Sequence, residues 1–251
     1  MSKMKVMVAG ANGKMGQEVV KMVLNDEELE YVGGVDPTGS DCYRTLEEGI
    51  IAGRPDVYVD FTTPHVVKKN IEIAMQMGVS PVVGTTGLSQ EEISTLDKLA
   101  KELDIGGLIA PNFAIGAVLM MRFSEIAAKY MPHVEIIEMH HNQKLDAPSG
   151  TAIKTAELIS KSRKKIYQGH SDEKEVLKGA RGGEYSGFRI HSVRLPGLIA
   201  HQEVIFGDLG QTLTIRHDSI HRESFMPGVN LAIKKVKSLS GIVYGLEHLL
   251  D

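Results

Sequence analysis

The stretch Lys5-Val6-Met7-Val8-Ala9-Gly10-Ala11-Asn12-Gly13-Lys14-Met15-Gly16 decides how the rest of the chain is read. A short apolar run of this kind suits a strand buried on both faces, and it stops at a glycine. From Met15 to Leu24 apolar residues recur at helical spacing, so the strand turns directly into a helix. Glycines at 10, 13 and 16 allow a tight turn and a close approach of backbone to ligand, and the amides that open the helix can cradle a pyrophosphate. The spacing is G-x-x-G-x-x-G rather than G-x-G-x-x-G, and a glycine-rich turn without a ligand is the alternative reading. Asp36 ends the next predicted strand roughly 20 positions on, where a carboxylate can hydrogen-bond an adenosine ribose.

The same alternation continues outward. Strands are predicted over Lys5 to Ala9, Tyr31 to Asp36, Asp56 to Phe61, Pro81 to Gly84 and Gly107 to Ala110, with helices over Met15 to Leu24, His65 to Met77 and Glu91 to Leu103. Ser89 with Glu92 three residues later forms a capping box for the last of these. Alternating strands and helices feed a parallel sheet, so the first part of the chain is expected to be a Rossmann-like, doubly wound α/β domain. The strand ends should share one edge, where α/β sheets bind ligands. Gly84-Thr85-Thr86 and Ala110-Pro111-Asn112-Phe113 bring polar groups to that edge. Each turn alone reads as helix capping; together they favour a nicotinamide-side pocket.

After Asn112 the pattern changes, and a smaller α+β domain with a mixed or antiparallel sheet is expected. A helix from Ala114 to Tyr130, a strand from Val134 to His141, a helix from Thr151 to Ser162, a hydrophilic loop through Gly183, and β-rich runs over Gly187 to Leu195, His201 to Phe206 and Gln211 to His217 follow in order. From Glu223 through Val236 and on to Leu250 the segment reads as helical.

The 251 residues, 42% apolar and 24% charged with a formal charge of −4, describe an ordinary globular protein with no global pull toward nucleic acid or anionic membrane. A small-molecule partner is the expectation. The single cysteine, Cys42, rules out an intrachain disulfide or a Cys-rich metal site and fits a reducing compartment, with cytoplasm as the default. No secretory h-region follows Met1, and no apolar stretch approaches the roughly 18 to 20 residues of a membrane span.

Glu138-Met139-His140-His141-Asn142-Gln143-Lys144-Leu145-Asp146-Ala147-Pro148-Ser149-Gly150-Thr151 is the densest group of titratable and hydrogen-bonding residues. Adjacent histidines on a strand point to opposite faces, so His140 and His141 share a ligand only if the strand ends or bulges there. No third ligand cluster stands at metal spacing, so no metal is expected. Lys144 supplies a cation, and Ser149, Gly150 and Thr151 a hydroxyl and amides at a helix start, a combination suited to a carboxylate. A capped helix after a solvated loop is the bland alternative. Asp146 can simply fix the turn.

Together, GANGKMG at 10–16, DFTTP at 60–64, GTTG at 84–87, APNFAIG at 110–116 and EMHHNQKLDAPSGTA at 138–152 resemble the dihydrodipicolinate reductase family over essentially the whole chain. The resemblance implies an NAD(P)H-dependent reductase that removes water from a cyclic dicarboxylate, 4-hydroxy-tetrahydrodipicolinate, and delivers hydride to give tetrahydrodipicolinate on the diaminopimelate route to lysine. It implies cofactor binding by Gly10, Ala11, Asn12, Gly13, Lys14, Met15, Asp36, Gly84, Thr85, Thr86, Ala110, Pro111, Asn112 and Phe113. It implies substrate binding by His141, Lys144, Ser149, Gly150 and Thr151, with His140 and Lys144 handling protons. It also implies a dinucleotide-binding domain over 1–112 completed by helices of 222–251, a substrate-binding and oligomerisation domain over 113–221, hinges near 112 and 222, and a homotetramer. The family's acidic residue after the second strand is often followed by Arg, whereas Pro37 stands here. With Asp36 and Lys14 pulling in opposite directions, use of both NADH and NADPH is expected, leaning toward NADH. The competing readings are another two-domain NAD(P)-dependent amino-acid dehydrogenase, which would lack the HH-x-x-K-x-DAPSGT string, and a redox sensor that binds NAD(H) without turnover, for which a DNA-binding or partner module is missing.

Overall fold

The computed structural model describes residues 2–39 and 41–250. The chain divides into two units, one running to Ile115 and resumed from Arg222, the other Gly116–His221. In the first, β1 (Met4–Ala9), α1 (Lys14–Asn25), β2 (Leu29–Val35), α2 (Leu46–Gly53), β3 (Val57–Asp60), α3 (Val67–Gln76), β4 (Ser80–Val83), α4 (Gln90–Glu102) and β5 (Gly106–Ile109) alternate as the period of apolar residues requires. The second unit follows with α5 (Ile115–Ala128), β6 (His133–His140), α6 (Gly150–Ser162), β7 (Gly183–Tyr185), β8 (Phe188–Arg194), β9 (Ala200–Asp208) and β10 (Gln211–Ser219). The chain then returns to the first unit through α7 (Met226–Lys235) and β11 (Gly241–Tyr244).

The first unit's strands lie in the order β11-β5-β4-β3-β1-β2, all parallel. Every residue of β3, β4 and β5 is buried, which is why these strands read as continuous rather than alternating runs. Strand order reverses at β1, whose neighbours are β2 on one side and β3 on the other, so a crevice opens at the carboxyl ends of β1 and β3. Two helix starts of this unit, one predicted and one not, carry a capping box: Ser89 and Glu92 reciprocally cap α4, and Thr45 and Glu48 do the same for α2.

In the second unit the sheet is mixed, β10-β9-β6-β8-β7, with β6 parallel to β8 and the other pairs antiparallel. Along β6, Val134, Ile136 and Glu138 are buried while the intervening residues are not, the period-two signature of a sheet with one covered face. Gln202 on the same face of β9 donates to Thr155 Oγ1 of α6 at 2.7 Å, tying helix to sheet.

Two sequence expectations need correction, and one element was missed. The last segment is not helical to Leu250: Gly241, at φ +73°, turns the chain out of the α7 region, and Gly241–Tyr244 adds a sixth strand to the sheet, paired with β5 and anchored by Ile242 N–H donating to Asp97 Oδ1 at 2.9 Å. Helix α2, absent from the sequence reading, was legible in the Thr45-x-x-Glu48 box. Gly183, placed in a hydrophilic loop, begins β7, whose three residues are too short for a pattern to register.

Docking of β11 requires Gly106, because a Cβ there would lie 2.3 Å from Val236 O and 2.6 Å from Leu239 O. Gly106→Ala should therefore destabilise the chain by about 1–3 kcal/mol in urea denaturation. Gly207→Ala on β9, where a Cβ meets nothing within 4 Å, should stay within about 0.5 kcal/mol of wild type.

Candidate active site

Gly10 leaves β1 at φ +75°, and a Cβ on it would lie 2.4 Å from Phe61 O, so only glycine lets the first turn pass the end of β3. Gly16 is equally constrained, its Cβ position being 2.0 Å from Gly10 O. Gly13 is the N-cap of α1 and has no side chain to accept from the first-turn amides, nor does an acidic residue stand in that turn. The first-turn amides of α1 thus have no acceptor from an N-cap side chain or a first-turn carboxylate.

A cavity of about 540 Å³ opens at the switch point, walled by Gly10, Gly13, Asp36, Arg44 and Thr62 among others. Asp36 accepts from Asn12 N–H at 3.1 Å and from the Thr38 amide and hydroxyl at 2.9 and 2.6 Å. Burial alone would raise its carboxyl, but these bonds hold it below the usual carboxylate range, so it is ionised. A second cavity of about 420 Å³ is lined by Lys14, Met15, Thr62, Thr85 and Thr86. The fold thus brings most of the first unit's expected site residues to one sheet edge. Ala110 and Phe113 are only 1% and 2% exposed, and the Phe113 ring packs 5.9 Å from that of Phe61, so these two shape the edge from below. Asn112 Oδ1 accepts from Ala114 N–H at 2.8 Å.

Lys14, expected to offset the charge of Asp36 toward a 2′-phosphate, and Asp36 line different cavities. Lys14 lines the second cavity, and the first is lined by Lys69 and by Arg44, whose Nη1 donates to Pro37 O at 3.4 Å. Arg44 comes back to Asp36 because Tyr43 beside it pairs with the end of β2: Tyr43 N–H donates to Gly34 O at 2.9 Å and Asp36 N–H to Tyr43 O at 3.0 Å.

Beneath this edge lies Asp60, fully buried. Its Oδ1 accepts from Thr62 N–H at 2.9 Å, Thr62 Oγ1 at 2.6 Å and Thr85 Oγ1 at 2.6 Å, while Oδ2 accepts from Asn70 Nδ2 at 3.2 Å and from the Tyr58 hydroxyl. Thr85 therefore braces the turn after β4 against β3 rather than capping a helix. Burial, then the Asp60 charge, pushes the Tyr58 hydroxyl well above its ordinary range and keeps it a donor.

In the second unit, β6 ends at His140, so the alternation that would separate His140 from His141 stops between them. His140 Nδ1 lies 2.5 Å from Glu138 Oε2, and Arg194 of β8 donates to both oxygens of Glu138, at 2.9 and 2.8 Å. Arg194 Nη2 also donates to Asp146 O at 2.7 Å, and Asp146 Oδ1 accepts from Lys144 Nζ at 2.6 Å. His140 and Lys144 are thereby held in one network. Ser149 is the N-cap of α6, its Oγ accepting from Ala152 N–H at 3.2 Å, and Gly150 and Thr151 open the helix. Among the described residues no group of three His, Cys, Asp or Glu side chains could hold a metal ion, and no helix is long and apolar enough to cross a membrane.

Family models for the N-terminus and C-terminus of dihydrodipicolinate reductase match residues 4–113 and 116–250. The chain belongs to the dihydrodipicolinate reductase family. It is 56% identical to the 4-hydroxy-tetrahydrodipicolinate reductase of Halalkalibacterium halodurans and 58% identical to that of Streptococcus gordonii, in each case over 98% of this chain and 99% of the relative. The dipicolinate-bound dihydrodipicolinate reductase from Paenisporosarcina sp. TG-14 superposes with a TM-score of 0.92 at 49% identity, covering 99% of this chain and 100% of that one. An amine dehydrogenase from Mycobacterium smegmatis, 14% identical with a TM-score of 0.66, covers 96% of this chain and 95% of its own and shares the fold alone. As a member of the dihydrodipicolinate reductase family the chain is an NAD(P)H-dependent oxidoreductase.

Three residues, two in the first unit and one in the second, escaped the sequence reading. Glu138 stood in the quoted segment without a role, although two positions on a strand share a face and so place it with His140. Asp60 closes an otherwise apolar strand, a signal that was there to use. Arg44 gave none, since its place depends on the backbone pairing of Tyr43 with Gly34 and Asp36.

Glu138 also sets an acid limit on stability. Burial would raise its carboxyl, but hydrogen bonds from His140, Arg194 and Ser192 and the Arg194 charge bring it down from 4.5 to about 2. A depressed carboxylate stabilises fully above its unfolded value, and the contribution is lost as pH falls from about 4.5 toward about 2. Across that window the urea midpoint of wild type should fall more steeply than that of Glu138→Leu/Arg194→Met, which has no such group to protonate.

Proposed function

We propose that this chain reduces 4-hydroxy-tetrahydrodipicolinate to tetrahydrodipicolinate with loss of water, using NADH or NADPH. The observation that carries the reading is the stretch 138–151, in which a strand end bearing His140, a loop cation at Lys144 and the start of α6 follow one another in a chain matched to the family over both units. The crevice at the ends of β1 and β3 suits a dinucleotide: the α1 amides would hold the pyrophosphate, Asp36 a ribose hydroxyl, and Thr85 and Thr86 the nicotinamide side. The bound nucleotide supplies hydride.

The chain's own residues do the rest. His141, Lys144 and the Ser149, Gly150 and Thr151 helix start bind the carboxylates of the substrate, with positive charge and amide donors matched to anions. Hydride addition to a conjugated imine leaves carbanion character that takes up a proton, and His140 and Lys144 are the groups placed to deliver it. A tetramer formed through the second unit's sheet is supported by the half-buried apolar residues Ile137, Met139, Val193 and Ile205 on the sheet face opposite Glu138. The single thiol of Cys42 suits the cytoplasm.

The direct test is nucleotide oxidation on adding substrate freshly made by a coupled dihydrodipicolinate synthase. Wild type should turn over, and His140→Ala and Lys144→Ala should each lose at least the ~10²-fold typical of a positioned proton donor while still binding NADH. Near-normal turnover by both variants would refute the assigned roles.

Cofactor choice rests on a near balance. Asp36 repels a 2′-phosphate, Arg44 attracts it, and a partly solvated charge interaction contributes about 1 kcal/mol, close to the value of a tenfold preference. Both nucleotides should therefore serve, with a lean toward NADH. Arg44→Ala should lower kcat/KM for NADPH about tenfold more than for NADH, and the gap should narrow as salt screens the charge.

A further inference from the structure

Glu138 is a fully buried carboxylate beside the proton-handling residues, yet no step above assigns it a task. Its neighbours define its state. Arg194 binds both of its oxygens in a bidentate fork, and His140 Nδ1 closes on Oε2 at 2.5 Å. A guanidinium of this kind fixes the carboxylate as the ionised form, which can only accept hydrogen bonds. The depressed titration of Glu138 agrees. The proton in the His140–Glu138 contact therefore sits on Nδ1, and in the neutral ring Nε2 is left as the basic nitrogen.

The strand explains why the geometry holds. Residues two apart on β6 share a face, so Glu138 and His140 are neighbours along one strand. In the parallel register of β6 with β8, Arg194 stands opposite His140. The same guanidinium reaches Asp146 O at 2.7 Å, and Asp146 holds Lys144. One buried ion pair thus orients the imidazole on the strand and the ammonium in the loop.

We infer that Glu138, paired with Arg194, is a positioning residue for the reduction: it holds His140 as the Nδ1–H tautomer with Nε2 turned toward the substrate, and through Arg194 it fixes the loop that carries Lys144. This inference rests on the roles proposed above for His140 and Lys144. It accounts for a charged pair in a place where two apolar side chains would fill the same space without the desolvation of two ions.

The test begins with wild-type enzyme. In ¹⁵N spectra recorded where the imidazole is neutral, the His140 ring signals, identified by their loss in His140→Gln, should report the Nδ1–H tautomer. Glu138→Leu/Arg194→Met removes both charges together, so no unpaired ion is left in the fold. In this variant the Nδ1–H form should no longer dominate, kcat should fall about 10- to 100-fold as for loss of a partner that orients a functional histidine, and the KM for NADH should be unchanged. Wild-type His140 in the Nε2–H form, or a folded double variant with wild-type kcat, would overturn the inference while leaving a defective His140→Ala, and so the assigned function, intact. Normal turnover by His140→Ala would instead overturn the roles on which the inference stands.

Discussion

Asp60 accepts hydrogen bonds from five donors, from the side chains of Tyr58, Thr62, Asn70 and Thr85 and the amide of Thr62, with no cation among them. Those donors come from β3 itself, the turn after it, α3 and the turn after β4. A carboxylate removed from water is tolerated only when its lone pairs are filled, so the arrangement works as a set: each donor must be in place for the charge to be accommodated. The consequence is a fixed sheet edge. The turns that carry Thr62 and Thr85 line the crevice proposed for the nucleotide, and their shape follows from one buried carboxylate.

A related device operates in the second unit with different chemistry. There the buried carboxylate, Glu138, is answered by a guanidinium and an imidazole, and the strand period determines which residues meet. Asp60 uses neutral donors to hold backbone turns; Glu138 uses charged ones to hold side chains. Each unit thus has a rigid interior group beneath the residues proposed to touch ligand.

Legibility in the sequence tracked how local the physics was. The strand and helix of the glycine loop, the Ser89 capping box and the parallel sheet were readable because each depends on neighbours a few residues away or on complete burial. The motif at 138–151 carried the family by its composition. What escaped depended on contacts made across long separations. Gly241–Tyr244 became a strand because β5 offered an edge and Gly106 made room, neither of which shows in the terminal segment itself. Arg44 reached the crevice through the pairing of Tyr43 with Gly34 and Asp36, and Arg194 met Glu138 through a strand register that joins positions 56 apart.

That terminal strand bears on how the chain is made. β5 emerges from the ribosome early, and its partner β11 emerges only after the entire second unit. During synthesis the first unit therefore carries an open edge at Gly106–Ile109 with unmatched backbone groups, the kind of surface that recruits foreign strands. The second unit, by contrast, is continuous in sequence and can close its own sheet as it is translated. Completion of the first unit's sheet thus waits until the second unit has been made, and a chain truncated before Gly241 would carry every residue proposed for the site while leaving that sheet unfinished.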